Sequence, residues 1–281
     1  PPTHVFQQDG KWHLENNYLK VSVDPKTGVW EVLDKRINHV WPSVAEWKSG
    51  EDRLQKISAD QKAGLLRWQM PLFWKENKPQ SVQVTLHLPA DKAELNVEVD
   101  MPDRSVGMPN SRFWEPLLCT DEDGVIAVAD YCNGHLYPIR HENLPRRWFR
   151  MDRLDMPWVG LTDLKTGRGY MVILETNDDG QIEFRKFTHQ QVSVWAPQLW
   201  WHPSMGQFGY PRKIIYFFTD QGGYVALAKR YRAYAASQGL IVPFSEKLKA
   251  NPELRRLFGA PDVWGGAGLG FAQEAHQAGI R

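Results

Sequence analysis

Two aromatic clusters hold the residues of this chain whose types best suit chemistry. The first is Trp195-Ala-Pro-Gln-Leu-Trp-Trp-His-Pro203. The flat face of an indole fits the apolar CH face of a pyranose, and polar neighbours read its hydroxyls. Trp200, Trp201 and His202 are therefore candidate sugar-binding residues. Adjacent side chains on a strand point to opposite faces, so Trp200 and Trp201 cannot both line one surface. The alternative is that these indoles fill a core or a domain junction. The second cluster, Arg146-Arg147-Trp148-Phe149-Arg150, is basic and aromatic and suits an acidic or hydroxylated ligand, or else forms a solvated edge.

The carboxylates are numerous but poorly arranged for hydrolysis. Glycoside cleavage needs two carboxyl groups roughly 5–10 Å apart on opposite sides of a sugar. Asp178-Asp179 before Gly180 are neighbours on one turn and cannot supply that geometry. They read first as a turn and cap, and second as groups that reach a substrate hydroxyl or a Ca²⁺ ion. Beyond that conceivable Ca²⁺, no cofactor is expected.

Positioning falls to β-structure over most of the chain. His13 to Val23 alternates as a half-buried strand, Asp24-Pro-Lys-Thr-Gly28 turns, and Val29 to Leu33 returns. Val82, Val84, Leu86 and Leu88 keep strict period two, as do Leu95, Val97 and Val99. Further short strands at Val125–Val128, Gly169–Glu175, Gln181–Phe187, Gln191–Trp195 and Lys213–Phe218 imply a large antiparallel sandwich over residues 1–219. The period then changes to 3.6. Tyr224, Leu227, Ala228, Tyr231 and Ala235 make one apolar helical face, and Asn251-Pro252 offers the start of a short helix. Residues 220–258 thus read as a helical linker. In 259–281, Ala260–Trp264 looks like a buried strand, and Leu269, Ala272, Ala275 and His276 recur at helical spacing up to Gly279. A strand, a helix and the entry to another strand form the first βα unit of a TIM-type barrel. Active-site groups sit at the C-terminal ends of such strands, which makes Asp262 and Trp264 candidate pocket residues. An unfinished barrel also leaves apolar surface, so residues 260–281 are expected either to be mobile or to find substitute partners in a second copy.

Cys119 and Cys132 flank the turn signal Asp121-Glu-Asp-Gly124. A two-residue turn at Asp123-Gly124 sets Cys119 opposite Val128 and Cys132 opposite Glu115, an offset of roughly 14 Å. A disulfide needs Cα atoms within about 7 Å, so both are expected as free thiols. Lys plus Arg total 34 against 33 Asp plus Glu, a balance that argues against nucleic acid or an anionic membrane as partner. No apolar run approaches the ~20 residues of a membrane span. The chain opens Pro1-Pro2-Thr3, so an upstream segment is expected, and the compartment stays open between export and the cytoplasm.

The sequence also resembles a family pattern. The phrases are Leu14-Glu-Asn-Asn-Tyr-Leu-Lys-Val, Pro25-Lys-Thr-Gly, Asp34-Lys-Arg, Asp155-Met-Pro-Trp-Val-Gly, Gly169-Tyr-Met-Val-Ile-Leu-Glu-Thr-Asn-Asp-Asp179 and Tyr231-Arg-Ala-Tyr. Together they resemble the α-N-acetylgalactosaminidase-like glycoside hydrolases, in which a galactose-mutarotase-like sandwich and a helical linker precede a (β/α)₈ barrel. The resemblance implies carbohydrate as the ligand and catalytic carboxylates on later barrel strands. Mutarotases themselves use a His acid and a Glu base within the sandwich; His135, His189 and His202, with Glu175 and Glu183, would be the matching groups here. Three readings therefore stand: the N-terminal part of a glycoside hydrolase, a stand-alone carbohydrate-binding or structural sandwich, and a sugar epimerase acting in the sandwich cleft.

Overall fold

A computed structural model of the chain describes every residue except 1, 47–51, 73–79, 102, 105–106, 108–110, 113, 131–132, 261–267 and 280–281. The chain falls into two compact units, Pro1–Tyr231 and Arg232–Arg281. The first is mainly antiparallel β-structure. Strands β1 (His4–Gln8), β2 (Lys11–Glu15), β3 (Leu19–Val23), β4 (Trp30–Asp34) and β5 (His39–Pro42) form a five-stranded meander. The strand expected over His13–Val23 is in fact two. Asn16 breaks it, its side-chain oxygen accepting the Tyr18 and Leu19 N–H groups at 2.8 and 2.7 Å. Its amide donates to the carbonyls of Pro89 and Lys92 at 2.6 and 2.8 Å, so the same side chain ties the turn to a distant loop.

The remaining strands are β6 (Gln55–Asp60), β7 (Leu65–Leu72), β8 (Gln80–His87), β9 (Glu94–Asp100), β10 (Ser111–Arg112), β11 (Gly124–Asp130), β12 (Asn133–Pro138), β13 (Trp148–Arg150), β14 (Trp158–Asp163), β15 (Gly169–Leu174), β16 (Gly180–His189), β17 (Val192–Trp201) and β18 (Arg212–Thr219). They form a nine-stranded sheet in the order β12-β11-β14-β15-β18-β9-β8-β7-β6 and a four-stranded sheet in the order β10-β17-β16-β13. Period two places Val82, Val84, Leu86, Leu95 and Val97 in one core. Aromatic contacts show which layers face each other. Trp41 of β5 meets Tyr170 of β15 at 5.4 Å, Trp30 of β4 meets Tyr216 of β18 at 5.3 Å, and Tyr137 of β12 meets Phe184 of β16 at 5.6 Å. Both smaller sheets thus pack on the nine-stranded one, as a sandwich requires.

Helix α1 (Gly223–Ser237) begins where the period changes. Its Leu227 is fully buried against the outer side of the nine-stranded sheet. Gly160 of β14 makes room for it: a Cβ there would stand 2.6 Å from Leu227 Cδ1. In the second unit, α2 spans Phe244–Ala250 and a 3₁₀ turn spans Pro252–Leu257, opened by the Asn251 side chain accepting the Glu253 N–H at 3.2 Å. Helix α3 (Leu269–Gln277) runs into Gly279, whose φ of +83° is the left-handed close expected there. The strand expected at Ala260–Trp264, and with it Asp262 and Trp264, lies outside the described residues.

Between the sheets runs a segment, 114–119, that is buried yet belongs to no strand; Leu117 and Leu118 are fully enclosed. Buried peptide groups need partners, and here side chains supply them. Trp30 Nε1–H donates to the Glu115 carbonyl at 2.8 Å, Gln198 Nε2 to the Trp114 carbonyl at 3.1 Å, and Tyr170 Oη–H to the Leu117 carbonyl at 2.5 Å. The Leu118 N–H donates to the Pro42 carbonyl at 2.7 Å. Trp114 stacks on Trp30 at 4.4 Å and donates its indole N–H to Gly28 at 2.6 Å. This corrects the hairpin expected around Asp123-Gly124. A turn exists there, but β11 pairs with β12 and β14, and the chain before the turn is the inserted segment rather than a partner strand. Cys119 is a buried free thiol, whereas Cys132 lies outside the described residues.

Two outcomes follow from the inserted segment. Tyr170→Phe leaves the Leu117 carbonyl without its hydroxyl and should cost about 1–3 kcal/mol; an unchanged urea midpoint would show that the tie contributes nothing. Burial, with the charge of Asp121 next, pushes the Cys119 thiol up to about 12 from its ordinary 9.0. The folded pKa is the higher one, so the stability this group contributes is complete below pH 9 and is lost between 9 and about 12. Native protein at pH 8 should therefore withhold Cys119 from a disulfide reagent until it is unfolded. Stoichiometric labelling of Cys119 in the folded state, located by peptide mapping, would contradict this.

Candidate functional site

The long β16–β17 hairpin, with β13 and β10 on its flanks, carries the candidate site. Alternation turns Ile182, Phe184, Leu199 and Trp201 into the core, all at most 4 % exposed. The opposite face gathers side chains by register: Trp148 stands across from Glu183, Gln181 from both Arg150 and Trp200, and Arg112 from Trp200. Trp200 donates its indole N–H to Glu183 Oε2 at 2.9 Å. The Trp148 and Trp200 rings are 6.3 Å apart and tilted by 47°, and Trp148 is 47 % exposed. The Arg112 guanidinium lies 5.6 Å over Trp200 and donates to Glu46 at 2.8 Å. Arg185 grips the same carboxylate through two bonds of 3.0 and 2.9 Å. Burial opposes ionisation of Glu46, but the Arg185 hydrogen bonds and the charges of Arg185 and Arg112 outweigh it and hold its carboxyl below the usual range.

A cleft of about 540 Å³ opens beside Trp148, with Gln181 and Phe149 in its walls. Arg146, Arg150 and Arg153 line it together with Asp130 and Asp155. Asp130 is buried and paired with Arg146, whose guanidinium lies 4.6 Å over Phe149. Arg150 pairs with Asp152 at 2.6 Å. Arg153 sits on the 3₁₀ turn Met151–Arg153, and Gly180 lets that turn dock: a Cβ at 180 would stand 2.3 Å from Met151 Sδ. The arrangement offers an indole platform flanked by hydrogen-bonding and charged groups, which suits a hydroxyl-rich ring.

The candidates named from sequence separate in space. Trp200 lies on this outer face beside Trp148, whereas Trp201 is core. His202, Asp178 and Asp179 gather just past the same open end of the hairpin, where Gly180 pairs with Trp201. Asp179, at φ +48°, accepts the Tyr210 hydroxyl at 2.7 Å, and its carbonyl accepts the His202 N–H at 2.7 Å. Beneath them Arg212 is fully buried. It lies 3.5 Å over the Tyr210 ring and donates to the carbonyls of Tyr210 and His202 at 2.8 and 3.3 Å. Burial lowers its pKa, against the favourable fields of Tyr210 and Asp179. Among the described residues no three His, Cys, Asp or Glu side chains converge as a metal site requires. His135 stacks on Tyr137 at 5.8 Å, and Glu175 lines a separate cleft with His87 and Lys213. Sequence reasoning missed Glu46, Arg112 and Asp130: Arg112 reaches the site through the β10–β17 pairing, Glu46 through its ion pairs with Arg112 and Arg185, and Asp130 from the end of β11, none of them through a local motif.

The folded pKa of Glu46 is the lower one, so its contribution is present above the ordinary carboxylate range and is lost as pH falls through the folded value. Acid titration of the native indole fluorescence should show this late step, and Glu46→Gln should abolish it. An unaltered profile in the variant would dissociate Trp200 from the Arg112–Glu46–Arg185 bridge.

No protein-family model matches the sequence, and no curated protein matches it. Solved structures do match in fold. An α-N-acetylgalactosaminidase from Bifidobacterium bifidum, in complex with Gal-NHAc-DNJ, matches with a TM-score of 0.73 at 16% identity, over 94% of this chain and 48% of that one. Its GalNAc complex gives 0.70 at 16% identity, over 90% and 42%. An α-mannosidase from Enterococcus faecalis V583 gives 0.50 at 11% identity, over 80% and 31%. The chain thus spans about half or less of the length of these structures. Among the described residues no helix is long and apolar enough to cross a membrane. At these identities the likeness is one of fold: the chain carries the N-terminal sandwich that its resemblance to the α-N-acetylgalactosaminidase-like enzymes implied.

Proposed function

We propose that the chain is the N-terminal part of a carbohydrate-active enzyme, a glycoside hydrolase whose reaction occurs in a (β/α)₈ barrel. In this reading residues 1–219 are the sandwich, 220–258 the linker and 259–281 the first barrel unit, and the sandwich holds sugar without supplying the reacting groups. The observation that carries sugar binding is the half-exposed Trp148 beside Trp200 and the polar cleft. An exposed indole face with flanking polar groups suits a pyranose ring. The carboxylates near the cleft favour holding over catalysis. Asp130 is paired with Arg146, Asp152 with Arg150, Glu46 with two arginines, and Glu183 accepts the Trp200 indole N–H. Support for the barrel comes from the fold match to half of an α-N-acetylgalactosaminidase and from the second unit, where Leu240, Leu257, Phe258 and Leu269 are all more than 60 % exposed. Apolar surface of that kind suits burial by further barrel elements or by a second copy.

Calorimetric and fluorescence titrations with GalNAc, galactose and their neutral oligosaccharides test the reading. Binding is expected, with a loss of about tenfold or more in Trp148→Ala, in keeping with 1–3 kcal/mol per stacked ring. Equal binding by the variant would remove the cleft from the proposal. Residues 1–281 should not turn over aryl α-glycosides; turnover abolished by Asp130→Asn would move the chemistry into the sandwich.

A further inference from the structure

The cleft beside Trp148 has a charge pattern that a neutral sugar does not use. Three arginines line it against two aspartates. Arg146 is engaged with Asp130 and Arg150 with Asp152. Arg153 is exposed and makes no ion pair with any described residue. The backbone that carries it is anchored all the same. The 3₁₀ turn that carries it is anchored by buried Met151 on Gly180, and the Leu154 N–H closes the turn on the Met151 carbonyl. A cation carried by an anchored turn on the rim of an aromatic-walled cleft is complementary to an anion on the ring that stacks there. A planar guanidinium meets carboxylate and sulfate oxygens through paired N–H donors.

Resting on the sugar-binding reading above, we propose that the cleft selects acidic sugars: a pyranose stacked on Trp148 whose carboxylate or sulfate meets Arg153. Asp130 stays neutralised by Arg146 and does not repel such a ligand. The charge on Arg153 is open to solvent, so its share of the affinity is screened by salt; the Debye length falls from about 10 Å at 0.1 M to about 3 Å at 1 M.

Two matched pairs test the inference, galacturonate oligomers against their methyl esters and GalNAc 6-sulfate against GalNAc. Each pair holds the ring and changes the charge, and the two pairs separate carboxylate from sulfate recognition. At about 50 mM salt the charged member of at least one pair should bind about tenfold or more tightly, and the gap should narrow towards 1 M. Arg153→Gln should collapse that ratio, whereas Trp148→Ala should weaken both members. Equal or weaker binding of the acidic member in both pairs overturns the inference and leaves the sugar-binding reading standing. A preference that survives in Arg153→Gln overturns the role of Arg153. Absence of binding by all four ligands overturns both the inference and the reading beneath it.

Discussion

The constraint on which this sandwich depends is the hydrogen bonding of a peptide segment that lies in the core without being a strand. Residues 114–119 cannot use a ladder, and leaving buried carbonyls bare costs about 1–3 kcal/mol each. Their partners come from all three sheets. Trp30 and Pro42 belong to the five-stranded sheet, Gln198 to the four-stranded one and Tyr170 to the nine-stranded one. The segment therefore fixes the relative placement of the layers, and the stacked indoles of Trp30 and Trp114 fill the space it would otherwise leave open.

That internal tie explains how one hairpin can serve two purposes. Gln198 shares a face of β17 with Trp200, since both pair across to outward residues of β16. At Gln198 the face is covered and its amide is bound to the Trp114 carbonyl, while at Trp200 it is partly open and adjoins Trp148, an indole wall of the cleft. The fixed end holds the open end in register. Around the open end the charges are arranged as networks and not as isolated pairs. Glu46 joins two arginines from different strands, which lowers the ordering cost per contact relative to a lone surface bridge. Arg212, beside His202 and Tyr210, has aromatic faces and carbonyls as partners, a workable home for a weakly hydrated guanidinium.

Much of the fold was legible where one face of a strand is wet. Val82, Val84 and Leu86 alternate with polar residues, as do Leu95, Val97 and Val99, and the change of period at α1 follows from Leu227 and Tyr231 facing the sheet. What failed did so for definite reasons. Leu117, Leu118 and Cys119 are as apolar as a strand, yet Leu117 and Leu118 bond to Tyr170 and Pro42, far along the chain, which no local pattern reveals. The β16–β17 register depends on a two-residue turn, Gln190-Gln191, with both residues at positive φ; such turns usually announce themselves with Asn or Gly, and this one does not. Opposite facing of Trp200 and Trp201 could be read from adjacency. The nearness of Trp148 to Trp200 could not, because it arises from β13 pairing with β16.

The order of strands in the large sheet has a consequence for how the chain is made. β18 lies between β15 and β9, so the last strand of the sandwich is the one that joins its two halves. A chain leaving the ribosome has β6–β9 and β11–β15 in hand well before residues 212–219 arrive. At about 5–20 residues per second, the wait after β9 is on the order of ten seconds. During that interval two strand edges stand open, β15 and β9, and such edges pair readily with other chains. Lys213 opposite Glu98, and the Arg230–Glu94 contact that follows from α1, then close the gap with charge as well as backbone bonds. Expression yield should therefore depend on how fast ribosomes carry residues 212–219 into reach, more than on the stability of the finished sandwich.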